Sequence, residues 1–169
     1  MSQLFNLKNP VHLLATGFGS GLITPAPGTW GTLAALFIYQ LGLVHLSLVA
    51  FWLVVAVASV AGICICGKAA TDSGSHDHGS IVWDEFAGFW LGLGIATIFT
   101  GGHLHLYWVI AGFIYFRLFD IVKPFPINWL DKRVPGGFGI MLDDLIAGIF
   151  AGAALYGSIA LYAKYLGIN

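Results

Sequence analysis

Residues 47–67 have the sequence SLVAFWLVVAVASVAGICICG, which contains no charged side chain. A helix needs roughly 20 apolar residues to cross the hydrocarbon core of a bilayer. The stretch belongs to a longer interval, between Lys8 and Lys68, in which no Lys, Arg, Asp or Glu occurs. Only 9% of the 169 residues are charged, whereas an average soluble domain carries about 25%. The sequence therefore predicts an integral membrane protein.

Two further intervals, Phe86–Phe116 and Leu145–Ala163, also lack charged residues. Candidate spans lie near residues 30–44, 47–67, 86–101, 105–122 and 145–166. The first and third are short for a bilayer crossing, so we expect four or five transmembrane segments. The predicted fold is an all-α polytopic integral membrane protein, a single helical bundle in one domain, 1–169, with polar loops on the cytoplasmic face.

The distribution of charge orients this bundle. Five spans place the N-terminal arm, the 68–85 loop and the 123–144 loop on one side of the membrane. Most of the basic residues lie on that side, namely Lys8, Lys68, Lys123, Lys132 and Arg133. The positive-inside rule makes this side cytoplasmic, and all eight acidic residues lie on or near it. The net charge of −1 excludes a basic surface for nucleic acid.

The first polar cluster occupies residues 72–85, DSGSHDHGSIVWDE, directly before a candidate span. Asp84 and Glu85 could complement the dipole at a helix N-terminus. Alternatively, the two adjacent acids could share Mg²⁺, which takes one or two carboxylates together with substrate phosphate. His76 and His78 in the same loop could donate protons near neutral pH.

The second cluster follows the fourth candidate span. Arg117, Asp120 and Lys123 are spaced i, i+3 and i+6, so they lie roughly along one helical face. Ionisable groups at such a depth are costly and usually face a partner or a cavity. The alternative is an Arg117–Asp120 pair that satisfies itself, with Lys123 extending to the membrane interface.

The third cluster is the stretch 136–144, GGFGIMLDD, before the last candidate span. Its glycines would let backbone amides approach an oxyanion closely. Asp143 and Asp144 would then begin a helix, as Asp84 and Glu85 do. The two acid pairs supply four carboxylates for a metal ion, and Arg117 with Lys123 supplies cations for an anion.

The fourth stretch, 17–31, has the sequence GFGSGLITPAPGTWG. It lacks the lysine of a phosphate-binding loop, so it is not a nucleotide motif. Thr24 and Thr29 could donate hydrogen bonds to a lipid headgroup, or the stretch could be a simple re-entrant turn at the interface.

Small residues recur at helical spacing in two of the candidate spans. Such stripes predict close contact between helices in a bilayer. Their members are Gly88, Gly92, Ala147, Gly148, Ala151 and Gly152.

The segments 17–31, 76–85, 116–126 and 136–144 together resemble the bacterial phosphatidylglycerophosphatase A family. The similarity covers nearly the whole chain, and the motifs keep their order and approximate spacing. The resemblance implies a Mg²⁺-dependent lipid phosphatase of the bacterial inner membrane. Such an enzyme would hydrolyse phosphatidylglycerophosphate to phosphatidylglycerol and inorganic phosphate, with its site facing the cytoplasm.

On this hypothesis the chain's polar residues take separate roles. Arg117 and Lys123 would bind the terminal phosphate, with Thr24 and Thr29 assisting, and His78 would protonate the leaving oxygen. The nucleophile could be water or an aspartate. The proposed metal ligands are Asp84, Glu85, Asp120, Asp143 and Asp144, of which Asp84, Asp143 and Asp144 are also the catalytic carboxylates.

Two other functional classes remain at this point. A lipid headgroup transferase would also combine Mg²⁺ and carboxylates, but it would need an alcohol acceptor in place of water. A small membrane transporter would use the Arg117–Asp120 pair and broken helices as a pathway. The residues do not determine the oligomeric state.

Overall fold

A computed structural model of the protein describes residues 4–75, 78–101 and 104–167. Within these ranges the regular secondary structure is entirely helical, which confirms the all-α prediction. Short 3₁₀ turns occur at Ser20–Leu22 and Leu43–His45. The α-helices are α1 (Pro10–Ala15), α2 (Pro27–Leu41), α3 (Leu48–Ser73), α4 (Trp83–Thr100), α5 (Leu106–Val122), α6 (Ile127–Asp131) and α7 (Gly136–Tyr165).

The candidate spans correspond to α2, α3, α4, α5 and α7, and the largest difference concerns α7. This helix begins at Gly136 rather than near residue 145. Asp143 and Asp144 therefore lie roughly two turns inside the helix, whereas the sequence predicted them at its start. Because the free amide groups of a helix lie within its first turn, capping does not explain this second acid pair.

Two helices, α3 with 26 residues and α7 with 30, are long and apolar enough to cross a membrane. The helices α2, α4 and α5 have 15, 18 and 17 residues. At 1.5 Å per residue they are about 23–27 Å long, slightly short of a hydrocarbon core of about 30 Å. The two long helices suggest a membrane association, and the predicted number of four or five spans is not confirmed.

Helix α4 lies at the centre of the bundle, in contact with α2, α3, α5 and α7. Its indole groups fix it to two neighbours, since Trp90 Nε1 donates to the Ala35 carbonyl (2.9 Å) and Trp83 Nε1 to the Ala58 carbonyl (3.0 Å). Phe86 is fully buried in this helix. A helix that is apolar on all sides is expected at such a central position.

The most extensive helix contact, between α4 and α7, is built on glycines. A Cβ atom added at Gly152 would lie 2.7 Å from the Gly92 carbonyl oxygen, and one added at Gly148 would overlap the carbonyl of Gly88. The predicted packing role of these small residues is thus confirmed. Gly88 also contacts the backbone of Asp144. The same glycine-lined contact between α4 and α7 therefore brings the acidic residues of the two helices together.

We expect Gly148→Ala to lower the thermal midpoint of the protein in detergent, because the added methyl group must separate α4 from α7. Overpacking of this kind costs about 1–3 kcal/mol. Gly157→Ala is the matched control, since a Cβ added at Gly157 on the same helix meets nothing within 4 Å. Equal thermal midpoints for the two variants would contradict the close contact of α4 with α7 at Gly148.

The glycines at the start of α7 serve packing as well. A Cβ atom added at Gly137 would lie 2.6 Å from the Gly67 nitrogen and would overlap the Ile63 carbonyl, both on α3. One added at Gly139 would overlap the Val134 carbonyl. Gly137 therefore allows α7 to lie closely against α3, and the cradling of an oxyanion by this stretch stays a prediction.

Candidate active site

A cavity of about 300 Å³ lies where α2, α4, α5 and α7 meet. Among the described residues, its ionisable lining consists of five carboxylates and two cations, a formal excess of three negative charges. Such a site favours an additional cation. The lining residues are Ala26, Pro27, Gly28, Gly79, Ile81, Asp84, Glu85, Arg117, Asp120, Lys123, Asp143 and Asp144.

These ionisable residues come from three separate parts of the chain. Asp84 and Glu85 lie in the first turn of α4, Arg117 and Asp120 near the end of α5, and Lys123 is the residue that caps it. Asp143 and Asp144 belong to α7, and both are buried. The structure thus places seven of the eight ionisable site residues proposed from the sequence around one cavity, all except His78.

Arg117 connects three helices through its Nη1 atom. This nitrogen lies 2.7 Å from Asp120 Oδ2, 3.1 Å from Glu85 Oε1 and 3.3 Å from Thr32 Oγ1. The Arg117–Asp120 pair weighed in the sequence analysis therefore forms, and Glu85 joins it. A guanidinium held by two carboxylates has a fixed position, which pre-organises it for binding an anion.

Lys123 faces the acidic residues rather than the membrane interface. Its Nζ lies 2.5 Å from Asp143 Oδ2 and 3.3 Å from Asp131 Oδ1, so the alternative of an extended, interfacial lysine is corrected. Burial acts to lower the pKa of Lys123, but the hydrogen bonds and charges of Asp143 and Asp131 outweigh it and raise that pKa above its ordinary value. The side chain consequently stays an ammonium ion at neutral pH.

Two glycines of the 17–31 stretch let α2 lie close to the paired side chains of Arg117 and Glu85. A Cβ atom added at Gly31 would lie 2.6 Å from Glu85 Oε2, and one added at Gly28 would overlap Glu85 Oε1. Any larger residue at Gly28 would displace the Glu85 carboxylate. This stretch therefore contributes to the site mainly by allowing a close approach of its backbone.

The threonine that reaches the site is Thr32, which the sequence analysis missed. Its hydroxyl lies 3.3 Å from Glu85 Oε2 and 2.9 Å from the Gly28 carbonyl. Thr24 and Thr29, proposed from the sequence, are not among the residues that line the cavity. The spacing of Thr32 four residues after Gly28 places both on one helical face, and this was the signal available in the sequence.

His78 lies beside the cavity rather than in its lining. Its Nδ1 accepts a hydrogen bond from the Ser80 amide (3.2 Å), and its ring packs edge-on against Phe5, with centroids 5.3 Å apart. The neighbouring Gly79 does line the cavity. His76 falls outside the described residues.

The residues around the cavity fit a Mg²⁺ ion. Asp144 is 4% exposed, and its Oδ2 atom has no hydrogen-bond partner among the described residues. The charges of Asp84, Asp120, Asp143 and Glu85 all act on this carboxylate. A buried oxygen without a donor is costly, and a divalent cation would satisfy it.

Across 4–75, 78–101 and 104–167, no three His, Cys, Asp or Glu side chains form a preassembled metal site. Mg²⁺ commonly takes only one or two carboxylates and completes its coordination with waters and substrate phosphate. The arrangement therefore fits a site that the substrate completes.

Comparison with known proteins gives consistent matches over most of the chain. The family model for phosphatidylglycerophosphatase A matches residues 13–159. A phosphatidylglycerophosphatase A of Haemophilus influenzae is 49% identical over 149 residues, which cover 86% of each chain. One of Escherichia coli is 46% identical over 150 residues, covering 89% of this chain and 84% of the relative.

A third relative, from Bacteroides thetaiotaomicron, is provisionally named a phosphatidylinositol-3-phosphatase. It is 37% identical over 144 residues, covering 82% of this chain and 87% of the relative. No solved structure matches the chain.

Proposed function

Because the chain belongs to the phosphatidylglycerophosphatase A family, we propose that it hydrolyses phosphatidylglycerophosphate to phosphatidylglycerol and inorganic phosphate. Family membership makes the chain a phosphatase, so the transferase and transporter alternatives are set aside. The observation that carries the proposal is the cavity in which five carboxylates meet Arg117 and Lys123. Two relatives at 46–49% identity carry the name of this activity, which favours it over an inositol lipid as substrate.

The proposed cofactor is Mg²⁺. Asp144 would hold it through its buried Oδ2 atom, with Asp84 and Asp143 as the other nearby oxygen donors. Glu85 and Asp120 would act chiefly by holding Arg117, since both pair with its guanidinium. A divalent ion held there would neutralise phosphate charge and lower the pKa of a bound water molecule toward neutrality.

The chain's own residues would position the terminal phosphomonoester. Arg117 and Lys123 would contact its oxygens and stabilise the charge that builds up during phosphoryl transfer. Lys123 acts as a fixed positive charge rather than as a proton donor, because its ion pairs keep it protonated. The leaving glycerol oxygen needs a proton, and His78, next to the cavity-lining Gly79, stays the candidate donor.

The proposed location is the bacterial inner membrane, with the cavity toward the cytoplasm. The two apolar helices α3 and α7 support a membrane location. Most of the basic residues lie in or beside the same segments that carry the cavity's acids, and the positive-inside rule assigns such segments to the cytoplasmic side. The substrate is itself a membrane lipid, so a cavity at this boundary would receive its headgroup directly.

Phosphate release from short-chain phosphatidylglycerophosphate in neutral detergent tests the proposal. We expect release with water as the only acceptor, and a loss of about a hundredfold or more in EDTA, because a bound metal contributes several kcal/mol to such a transition state. Added Mg²⁺ should restore the rate. Full turnover in EDTA would reject the metal, and dependence on an added alcohol would reject hydrolysis.

A further inference from the structure

A second cavity of about 550 Å³ adjoins the acidic one. Its lining consists of Lys123, Phe125, Asn128, Trp129, Lys132 and Arg133, and we call it the cationic cleft. Lys123 lines both cavities, so the two share a wall. The acidic cavity has an excess of carboxylates, whereas no acidic residue lines the cleft within the part of the chain that the structure describes.

Two of the three positive charges in the cleft are available to an incoming anion. Lys132 and Arg133 are exposed, and neither forms an ion pair with any residue that the structure describes. Asp131 is directed toward Lys123 instead. Arg133 is held in place by Trp129, since its Cζ lies 4.4 Å from the centroid of the indole ring.

The aromatic residues indicate the depth at which this anion would sit. Phe125 is 79% exposed and Trp129 is 48% exposed. Exposed aromatic side chains next to Lys and Arg are typical of the headgroup level of a bilayer. The anion that meets the cleft is therefore expected to be a lipid phosphate.

We propose that the cationic cleft binds the internal phosphodiester of the glycerophospholipid substrate while the acidic cavity holds its terminal phosphomonoester. This assignment rests on the proposed function, in which the substrate carries both phosphates on one glycerol. A phosphodiester carries a single negative charge, which suits a cleft whose described charged lining residues are all cations. A phosphomonoester carries up to two, which suits cations supplemented by a metal.

The assignment gives Lys132 and Arg133 a role in specificity. A ligand that fills both cavities gains from the high effective concentration of its second phosphate once the first is bound. A free phosphomonoester without a lipid phosphodiester would lack that gain. The cleft thus explains how the enzyme would favour a phospholipid over small phosphate esters that share its reactive group.

Calorimetric binding in neutral detergent tests this assignment without turnover. The three probes are inorganic phosphate, dihexanoyl phosphatidylglycerol, and the phosphonate analogue of dihexanoyl phosphatidylglycerophosphate. We expect the analogue to bind at least about tenfold more tightly than either single probe. The double variant Lys132→Gln/Arg133→Gln should weaken both lipid probes about tenfold, which corresponds to losing a charge-assisted contact to phosphate.

The matched control is Lys8→Gln/Lys164→Gln, which also removes two exposed positive charges but lies outside both cavities. Its affinities should equal those of the wild type. The single variant Arg133→Lys keeps the positive charge of the cleft, so it should retain most of the lipid affinity that the double variant loses.

Unchanged affinity of the double variant for dihexanoyl phosphatidylglycerol would overturn the assignment. The assignment would also be overturned if the double variant bound dihexanoyl phosphatidylglycerol more weakly but the wild type bound the analogue no more tightly than the single-phosphate probes. The cleft would then bind a neighbouring lipid rather than the substrate's own phosphodiester. Failure of the proposed function gives a different result: the analogue binds as described, but phosphatidylglycerophosphate releases no phosphate.

Discussion

Asp144→Asn should abolish phosphate release while leaving the protein folded and at least as stable to heat as the wild type. The carboxylate is buried, one of its oxygens lacks a hydrogen-bond donor among the described residues, and four other carboxylates act on it. Such a group costs stability. Replacing it by a neutral amide of similar size removes that cost together with the proposed metal ligand.

We expect the rate to fall by about a thousandfold, the size of effect seen when one group that stabilises transition-state charge is removed. Phosphate release and thermal midpoint should be measured on the same preparation. Asp72→Asn is the matched control, because Asp72 pairs with Lys68 and His12 and does not line the cavity. An Asp144→Asn variant that retains its rate, or that unfolds, would reject the functional role assigned to this residue.

Arg117→Ala should abolish activity and also destabilise the protein, in contrast to Asp144→Asn. The guanidinium pairs with Glu85 and Asp120 and hydrogen-bonds to Thr32. Without it, two largely buried carboxylates lose their cation. Breaking a buried pair in this way costs about 3–5 kcal/mol, which should appear as a clearly lower thermal midpoint.

Two further variants separate the structural role of Arg117 from its role in phosphate binding. Arg117→Lys should restore stability only in part, since a single ammonium group cannot reproduce the planar contacts of a guanidinium. The double variant Arg117→Met/Glu85→Gln should recover part of the stability without activity, because it removes one of the two carboxylates that the loss of Arg117 leaves unpaired. Recovery of activity in that double variant would contradict the proposed contact between Arg117 and phosphate.

The ionisable residues of the cavity were predictable because they are conspicuous in this sequence. A chain with so few charges leaves little choice of polar groups, and ionisable residues at the ends of apolar stretches usually face a cavity. Asp84, Glu85, Arg117, Asp120, Lys123, Asp143 and Asp144 were proposed on this basis, and the structure gathers them around one cavity. The class of the fold followed in the same way from the long apolar intervals.

The errors concern residues whose role depends on a neighbour distant in the chain. The stretch 136–139 was predicted to precede the last helix, but it begins α7, where Gly137 lies against α3. For Lys123 the sequence left an interfacial position open as an alternative, which its ion pairs with Asp143 and Asp131 exclude. Thr32 has no polar neighbour in the sequence, and it reaches the site only because α2 packs beside α4 and α5.

The sequence by itself determined that this protein is helical and apolar, and it named the carboxylates and cations available for chemistry. Apolar runs and local spacing encode those properties, since each depends on residues within a few turns of one another. Only the tertiary structure decided which carboxylate meets which cation, and that Asp144 keeps a buried oxygen without a donor among the residues that the structure describes. Such pairings depend on where helices cross, and close approach at Gly88 and Gly148 fixes that crossing through contacts between residues far apart in the chain.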